Sequence, residues 1–309
     1  MITSSVALDQ VRHKGPLRSP VRYGCRPTDS WIHVPRDELT DQVLRGLPKV
    51  VLHDHLDGGL RPQTVAELAE AIGYDGLPTA DPDTLASWFR EGADQGDLVR
   101  YLEGFDHTCA VVQSPEAMQR IAREFVEDLA ADGVVYAEIR FAPERHTLAG
   151  MSLDDVIEAA TDGFASASLQ TGLQIGTLLT IMRSGPNAVA VAEAAVAWRE
   201  VLGGRSGGIV GIDLAGPEAG FPPGDHLEGF QIAHRASLPV TVHAGEAYGL
   251  ESIREALHPC GADRIGHGIR IIDDIAQDGT LGPLAAYVRD RGVPLELCPT
   301  SNVHTGAVT

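Results

Sequence analysis

Short runs of β-forming residues recur along this chain, each followed by residues at helical spacing, and this alternation constrains the fold more than any other feature. The seven runs are KVVLHDH (49–55), VVYAEIRF (134–141), LQIGTLLTIM (173–182), GIVGIDLAG (208–216), LPVTVHAGE (238–246), ADRIGHGI (262–269) and VPLELCPTSN (293–302). Strand–helix alternation predicts a parallel sheet. Seven such units predict an α/β fold of the TIM type, a (β/α)8 barrel with seven strands identifiable and the eighth missing from this chain. A doubly wound sheet would place a GxGxxG turn after the first strand, and none stands there.

The segments between the runs carry helix signals. Ser114-Pro115 is an N-cap followed by proline at the first helical position, and four apolar residues at helical spacing follow it: Met118, Ile121, Phe125 and Leu129. Gly133 stands where this helix is expected to stop, and Ser152 opens another helix with an acidic first turn. The longest interval between strands, residues 56–133, contains several helical stretches and is interpreted as a lid.

Charge divides the chain into two parts and limits its partners. Residues 1–30 hold five basic and two acidic residues, whereas the whole chain has a formal net charge of −19. We therefore predict a flexible N-terminal leader over residues 1–40, with a transit peptide as an alternative, and a barrel domain over residues 41–309. A surface this acidic argues against nucleic acid and membranes as partners. Four scattered cysteines without a CxxC pair suit a cytoplasmic protein.

Histidines and a glutamate follow several predicted strands at the same end. Strand one ends in His53-Asp54-His55, so both histidines share a face, since positions i and i+2 of a strand point the same way. His243 and Glu246 end strand five, and His267 ends strand six. Barrels of this type build their active sites at the carboxyl ends of the strands. Neutral imidazoles converging from separate strands indicate a metal site, and three histidine nitrogens suit zinc.

The segments LPKVVLHDHLDGG, GIDLAG, VTVHAGE, RIGHGI and LELCPTSN, in this order, resemble the signature segments of the adenosine deaminases, a family of the amidohydrolase barrels. The resemblance runs from about residue 47 to residue 309. It implies a hydrolase with one Zn²⁺ per chain and a small-molecule purine nucleoside as partner. The implied reaction converts adenosine or 2′-deoxyadenosine to the inosine and ammonia, a step of purine metabolism.

The same resemblance implies roles for individual residues. His53, His55 and His243 match the zinc ligands, Glu246 matches the general acid that protonates the purine N1, and His267 matches the residue that orients and helps activate the water. His55, Asp57 and the Gly216 backbone N–H match contacts to the nucleoside. Tyr101, Leu102 and Phe105 resemble an apolar gate over the purine, with ordinary helix packing as the alternative.

One part of the family pattern is missing. The family supplies an adjacent pair of aspartates at the end of strand eight, one in the zinc site and one on the purine, and no such segment follows Asn302. Asp273 and Asp274 are adjacent, but they are interpreted as charges at the N-terminus of a helix. An unclosed barrel exposes two strand edges, so we expect the 309-residue chain alone to be poorly stable and largely inactive, and the function to belong to an intact enzyme.

Alternative functions remain open. A two-metal amidohydrolase would need a carboxylated lysine on strand four, but the chain's two lysines are Lys14 and Lys49. The other zinc deaminase architecture pairs HxE with PCxxC, and His226-Leu227-Glu228 matches only its first half. A different 6-aminopurine, such as adenine, a modified adenosine or a nucleotide, is a closer rival, although Asp57 argues against a 5′-phosphate. An inactive purine-binding fragment is the non-enzymatic alternative, and the sequence leaves the oligomeric state open.

Overall fold

A computed structural model describes residues 40–308 and contains one sheet of seven parallel strands in the order β1 to β7. The strands are β1 (Lys49–His55), β2 (Val134–Phe141), β3 (Gln174–Met182), β4 (Gly208–Ala215), β5 (Val240–Ala244), β6 (Arg264–His267) and β7 (Leu295–Glu296). They curve into a nearly closed barrel, which confirms the predicted fold class. The predicted leader lies outside the described residues except for Thr40.

Helices connect the strands and cover the outside of the barrel. They are α1 (Asp41–Gly46), α2 (Pro62–Ile72), α3 (Pro82–Ala93), α4 (Leu98–Val111), α5 (Pro115–Ala131), α6 (Leu153–Thr171), α7 (Ala188–Leu202), α8 (Leu227–Arg235), α9 (Leu250–Leu257), α10 (Pro283–Arg291) and α11 (Pro299–His304). Their ends follow the local sequence. Ser114 accepts a hydrogen bond from the Ala117 N–H, Ser152 forms a capping box with Asp155, and Gly133 adopts a φ of 80° just past α5. These predicted helix boundaries are confirmed.

The seventh run differs from its prediction. Residues 293–302 were expected to be one strand, but β7 spans only two residues and α11 begins at Pro299. Proline has no backbone N–H to donate to a sheet, and its fixed φ suits the first turn of a helix. The segment therefore turns from strand to helix, and this turn brings Asn302 and Thr305 over the barrel mouth.

The barrel has two edges in the part of the chain that the structure describes. β1 pairs with β2 and β7 pairs with β6, and no backbone pairing joins β1 to β7 within residues 40–308. Val50 on β1 is 58% exposed and Leu297 after β7 is 54% exposed. The strands β3, β4 and β5 are buried on both faces along nearly their whole length, as expected for a parallel sheet under helices. The expected exposed edges are therefore present.

The long interval between β1 and β2 forms four helices, α2 to α5. The helices α5 and α6 pack together outside β2, with Phe125 and Phe164 in the shared core. Helix α4 lies over the barrel mouth, where its residues line the central cavity. Its proposed action as a lid stays a prediction. None of the helices within residues 40–308 has both the length and the apolar character that a membrane span requires.

Candidate active site

The carboxyl ends of the strands open into a cavity of about 930 Å³. Its wall includes all the residues to which the family resemblance gives a role, namely His53, His55, Asp57, Tyr101, Leu102, Phe105, Gly216, His243, Glu246 and His267. They come from the strands β1, β5 and β6, from the segments that follow β1, β4 and β5, and from the helix α4. The structure thus brings together side chains that are up to 214 positions apart in the sequence.

The histidines of β1 and β5 form a tight cluster. The Nε2 atoms of His55 and His243 are 3.2 Å apart, and the ring centroids of His53 and His243 are 4.6 Å apart. Each of the three imidazoles offers a ring nitrogen, and these three nitrogens lie within 4.8 Å of one another. Two nitrogens that bind one tetrahedral ion at about 2.05 Å would be about 3.3 Å apart. The separation of the Nε2 atoms is therefore the one that a shared zinc ion requires.

Carboxylates behind the cluster set the orientation of two imidazoles. The Nδ1–H of His53 donates to Glu296 Oε2 at 2.9 Å, and the Nδ1–H of His243 donates to Asp213 Oδ1 at 3.0 Å. A histidine that donates through Nδ1 keeps its Nε2 lone pair free. Both lone pairs consequently face the cluster, which is the arrangement that metal-binding histidines have.

Arg140 lies beneath both carboxylates and is completely buried. Its guanidinium donates to Asp213 Oδ1 at 3.2 Å, to Glu296 Oε2 at 2.7 Å and to the Leu52 carbonyl at 2.6 Å. Burial alone would raise the pKa of Asp213, but the charges of His243 and Arg140 outweigh it and hold this pKa below its ordinary value. Asp213 therefore stays ionised and can hold the His243 ring.

Three imidazoles in and beside the cluster, those of His53, His55 and His267, are neutral near pH 7. Burial, chiefly, lowers the pKa values of His53, His55 and His267 well below the ordinary value, and neighbouring positive charges lower them further. A neutral imidazole has a lone pair for a metal ion, whereas an imidazolium has none. The donor set of three imidazole nitrogens, with the Nδ1–H groups of His53 and His243 bound to carboxylates, fits zinc in kind and in spacing.

A carboxyl and a fourth imidazole stand beside the cluster. Glu246 Oε2 is 3.3 Å from His267 Nε2, and Glu246 Oε1 accepts a hydrogen bond from the Thr305 hydroxyl at 3.1 Å. Burial raises the pKa of Glu246 to about 7, against smaller opposing effects from His243 and Thr305. A carboxyl with this pKa can hold and release a proton near neutral pH.

His267 has an unusual backbone. Its φ is 61°, in the left-handed region, and Gly268 follows with a φ of 67°. A non-glycine residue there is strained and persists because its surroundings hold it. Asn302 helps to stabilise this conformation, because its side-chain amide lies 2.9 Å from His267 Nδ1. In this conformation the His267 Nε2 atom lies 3.3 Å from Glu246 Oε2 at the end of β6.

Asp57 and Gly216 line the same cavity on either side of the cluster. Asp57 Oδ2 accepts the Ala142 N–H at 3.0 Å, while its Oδ1 is buried without a hydrogen-bond partner among residues 40–308. Burial raises the pKa of Asp57 to about 6. Gly216 has a φ of 111°, and a Cβ there would lie 3.2 Å from Met182 Cε. The glycine therefore leaves its backbone open to the cavity.

Several rejected or alternative residues lie elsewhere. The Lys49 amine donates to the carbonyls of Arg45 and Leu47 at 3.3 Å, at the far end of β1, so it cannot bridge two metals in the cluster. The His226 ring binds the Arg183 carbonyl at 3.0 Å. Asp273 and Asp274 end a 3-10 helix (Ile269–Asp274), so the helix expected to begin at this pair does not begin there. Asp274 instead accepts the N–H groups of Leu284 and Ala285 at 2.8 Å, in the first turn of α10.

Sequence reasoning missed the residues that hold the site in place: Arg140, Glu218, Glu296, Asn302 and Thr305. One signal was available, because a charged residue inside an apolar strand, as at 140 and 296, indicates a buried ion pair. The other three follow the strands in loops or in α11, and their spacing carries no comparable signal.

Comparison with known proteins gives one family. The family model described as adenosine deaminase matches residues 48–309. Adenosine deaminase 1 of Streptomyces coelicolor is 52% identical over 273 residues, which are 85% of this chain and 67% of that protein.

Solved structures agree with this result. The adenine deaminase of Arthrobacter aurescens superimposes with a TM-score of 0.72 at 30% identity, covering 84% of this chain and 75% of that one. An amidohydrolase from Burkhoderia ambifaria, solved with bound Zn, gives a TM-score of 0.74 at 25% identity, covering 90% of this chain and 72% of that one.

Proposed function

Because this chain belongs to the adenosine deaminase family, we propose that it catalyses the hydrolytic deamination of adenosine and 2′-deoxyadenosine. One observation supports the proposal most strongly: three histidines that are spaced to bind a metal ion lie beside a carboxyl whose pKa is about 7. The reaction adds water across C6 of the purine and releases ammonia, so it needs an activated water, a proton donor for the ring and a proton acceptor.

The family is metal-dependent, and we propose one Zn²⁺ per chain, held by His53, His55 and His243. Zinc bound there would lower the pKa of a water molecule toward about 7 and so make a nucleophile available at neutral pH. The chain itself orients the ligands. Glu296 holds the ring of His53, and Asp213 holds the ring of His243, so that the Nε2 lone pairs of both rings face the cluster.

Proton transfer is assigned to Glu246 and His267. The protonated Glu246 carboxyl donates to the purine N1, which draws electrons from the ring as the water oxygen adds to C6. His267 orients that water and accepts its proton, for which the neutral state favoured by burial is required. His267 passes this proton to the amino group, which leaves as ammonia, and the proton released from the C6 oxygen as the carbonyl forms returns to the Glu246 carboxylate.

Nucleoside binding is assigned to His55, Asp57 and the Gly216 N–H. Asp57 Oδ1, buried without a partner, is suited to accept a ribose hydroxyl, and the Gly216 backbone can donate to N3. Tyr101, Leu102 and Phe105 of α4 form the apolar wall against the purine. A second anion beside Asp57 would be unfavourable, so a nucleoside is preferred to a nucleotide.

Adenine is the competing substrate, because a 30% identical neighbour is an adenine deaminase. A cytoplasmic location is also proposed, from the cysteine usage.

The test combines metal content with turnover. Zinc per chain is measured by mass spectrometry, and conversion of adenosine, adenine and AMP is followed by ultraviolet absorbance. Glu246→Gln is expected to reduce kcat for adenosine by about 10²–10⁴-fold without changing the zinc content, because the amide cannot donate the proton. Binding of adenosine and of inosine by calorimetry provides a second readout.

Glu228→Gln is the matched control, since Glu228 is an exposed glutamate of α8 and belongs to the chance HxE match. It is expected to retain full activity. A zinc-loaded protein extended by the family's strand-eight aspartate segment that still neither binds nor converts adenosine would overturn the proposed function. Preference for adenine over adenosine would transfer the assignment to the competing substrate.

A further inference from the structure

One carboxylate outside the catalytic set gathers four consecutive backbone N–H groups. Glu218, which follows β4 and is 5% exposed, accepts from Gly245 at 2.6 Å through Oε1. Its Oε2 accepts from Glu246 at 3.0 Å, from Ala247 at 2.6 Å and from Tyr248 at 2.9 Å. These four residues are the turn that leaves β5 and carries the catalytic carboxyl.

The turn depends on such an acceptor. Gly245 has a φ of 73°, so the chain reverses there and its next N–H groups converge on one side instead of entering a helix or a strand. Convergent N–H groups form a concave anion site, and buried N–H groups without acceptors are costly. Glu218 supplies a fixed anion for this site from within the chain, which determines where residue 246 lies.

Arg183 holds the same segment from the other side. This buried guanidinium donates to the carbonyl of His243 and to the carbonyl of Phe221, the latter at 2.8 Å. The segment from His243 to Tyr248 is thus bound by its carbonyl at one end and by its N–H groups at the other. Rigid placement of this kind is what a proton donor needs, because a displacement of about 1 Å from the reacting atom can cost about 10²-fold in rate.

We propose that Glu218 is a positioning residue that acts through Glu246, by fixing the backbone from which the Glu246 carboxyl reaches the purine. The inference rests on the proposed function. Within residues 40–308 Glu218 makes no hydrogen bond to the three-histidine cluster or to the carboxyl of Glu246, and its contacts to the catalytic segment are those to the backbone of residues 245–248. Its negative charge also contributes to the raised pKa of Glu246, and the amide-exchange experiment below separates this effect from the backbone contact.

A double-mutant cycle tests this route. Glu218→Gln keeps the size of the side chain but replaces one of its two acceptor oxygens with an N–H donor. It is expected to lower kcat for adenosine at least tenfold, to change KM less than threefold, and to leave the zinc content unchanged. In the Glu246→Gln background the same change is expected to have no further effect on kcat, because the group that it positions has already been removed.

Asp274→Asn is the matched control. Its carboxylate also accepts backbone N–H groups, those of Leu284 and Ala285 at the start of α10, but it lies outside the cavity. It is expected to leave kcat and KM unchanged in either background. If Glu218→Gln lowers kcat by the same factor with and without Glu246, the effect does not pass through Glu246 and the proposal is wrong.

Amide hydrogen exchange separates this inference from the function on which it rests. The amides of residues 245–248 are expected to exchange slowly in the parent chain and at least tenfold faster in Glu218→Gln, or in Glu218→Asp if the amide variant does not fold. Equal exchange in parent and variant would overturn the positioning role whatever the activity. If the amides of the parent chain exchange slowly but the chain shows no turnover, the backbone contact of Glu218 is supported and the failure lies in the proposed function.

Discussion

Replacing Arg140 by methionine should destabilise the chain more than any surface change. Methionine keeps much of the volume but removes the guanidinium, which is fully buried and donates to Asp213, Glu296 and the Leu52 carbonyl. Two buried carboxylates then lose their shared counter-charge. Removing one partner of a buried ion pair costs about 3–5 kcal/mol. That is a large part of the 5–15 kcal/mol by which domains are typically stable.

Urea unfolding of metal-free chain measures this loss, and chelator competition measures the zinc affinity. We expect zinc to bind about 10–100-fold more weakly, because Asp213 and Glu296 orient two of the proposed ligands. The stability deficit should be smaller at pH 5 than at pH 8. Without Arg140 the two carboxyls are protonated more readily, and a neutral carboxyl is less costly to bury than a charged one.

Arg61→Met is the control for Arg140→Met. Arg61 also bridges carboxylates, with Asp128 at 2.7 Å, but its side chain is 32% exposed. Exposed ion pairs contribute about 0–1 kcal/mol, so the loss should stay below about 1 kcal/mol. Equal losses for the two variants, or an Arg140→Met loss below about 1 kcal/mol, would refute the argument that Arg140 compensates the buried carboxylates.

Three further outcomes are expected. Folding raises the pKa of Glu246 from 4.5 to about 7, so its contribution to stability is fully present below about pH 4.5 and is lost as the pH rises through 7. The free energy of unfolding of Glu246→Gln should therefore increase by about 1–3 kcal/mol relative to that of the parent between pH 4 and pH 8. Urea midpoints at the two pH values measure this change. His243→Asn should weaken zinc binding at least about 100-fold in chelator competition, and unchanged affinity would remove it from the ligand set. Gly245→Ala should lower the free energy of unfolding by about 1–3 kcal/mol, because the φ of Gly245 is 73° and a Cβ there would lie 2.5 Å from a side-chain methyl. Gly92→Ala is the control and should not destabilise the chain, because a Cβ at Gly92 would have no atom within 4 Å beyond the adjacent residues and its own helix backbone.

The sequence predicts what local periodicity determines. β1 and β2 have the predicted bounds, because each is a run rich in β-branched and apolar residues between turn or helix signals. His53 and His55 share a face because side chains two positions apart on a strand point the same way. The end of β7 could not be predicted in this way, since Pro299 stops the sheet within a run that still has strand composition.

The supporting residues could not be predicted from spacing, because their partners are distant in the sequence. Arg140 meets Glu296 across 156 positions, and Glu218 meets the turn after β5 across 27 or more. Such pairings depend on the curvature of the whole sheet and on which side chain fills the space inside it. Asn302 lies near His267 only because the chain turns into α11 after β7.

The hydrogen bond from His53 to Glu296 spans 243 positions, and this has a consequence for synthesis of the chain. At about 5–20 residues per second, a ribosome adds Glu296 roughly 12–50 s after His53. Helices and turns form within microseconds, so the first strands and helices can settle long before that carboxylate exists. During this interval the nascent chain contains His53 but not yet Glu296, the residue that orients its ring. The oriented three-histidine cluster is therefore among the last parts of the barrel to form.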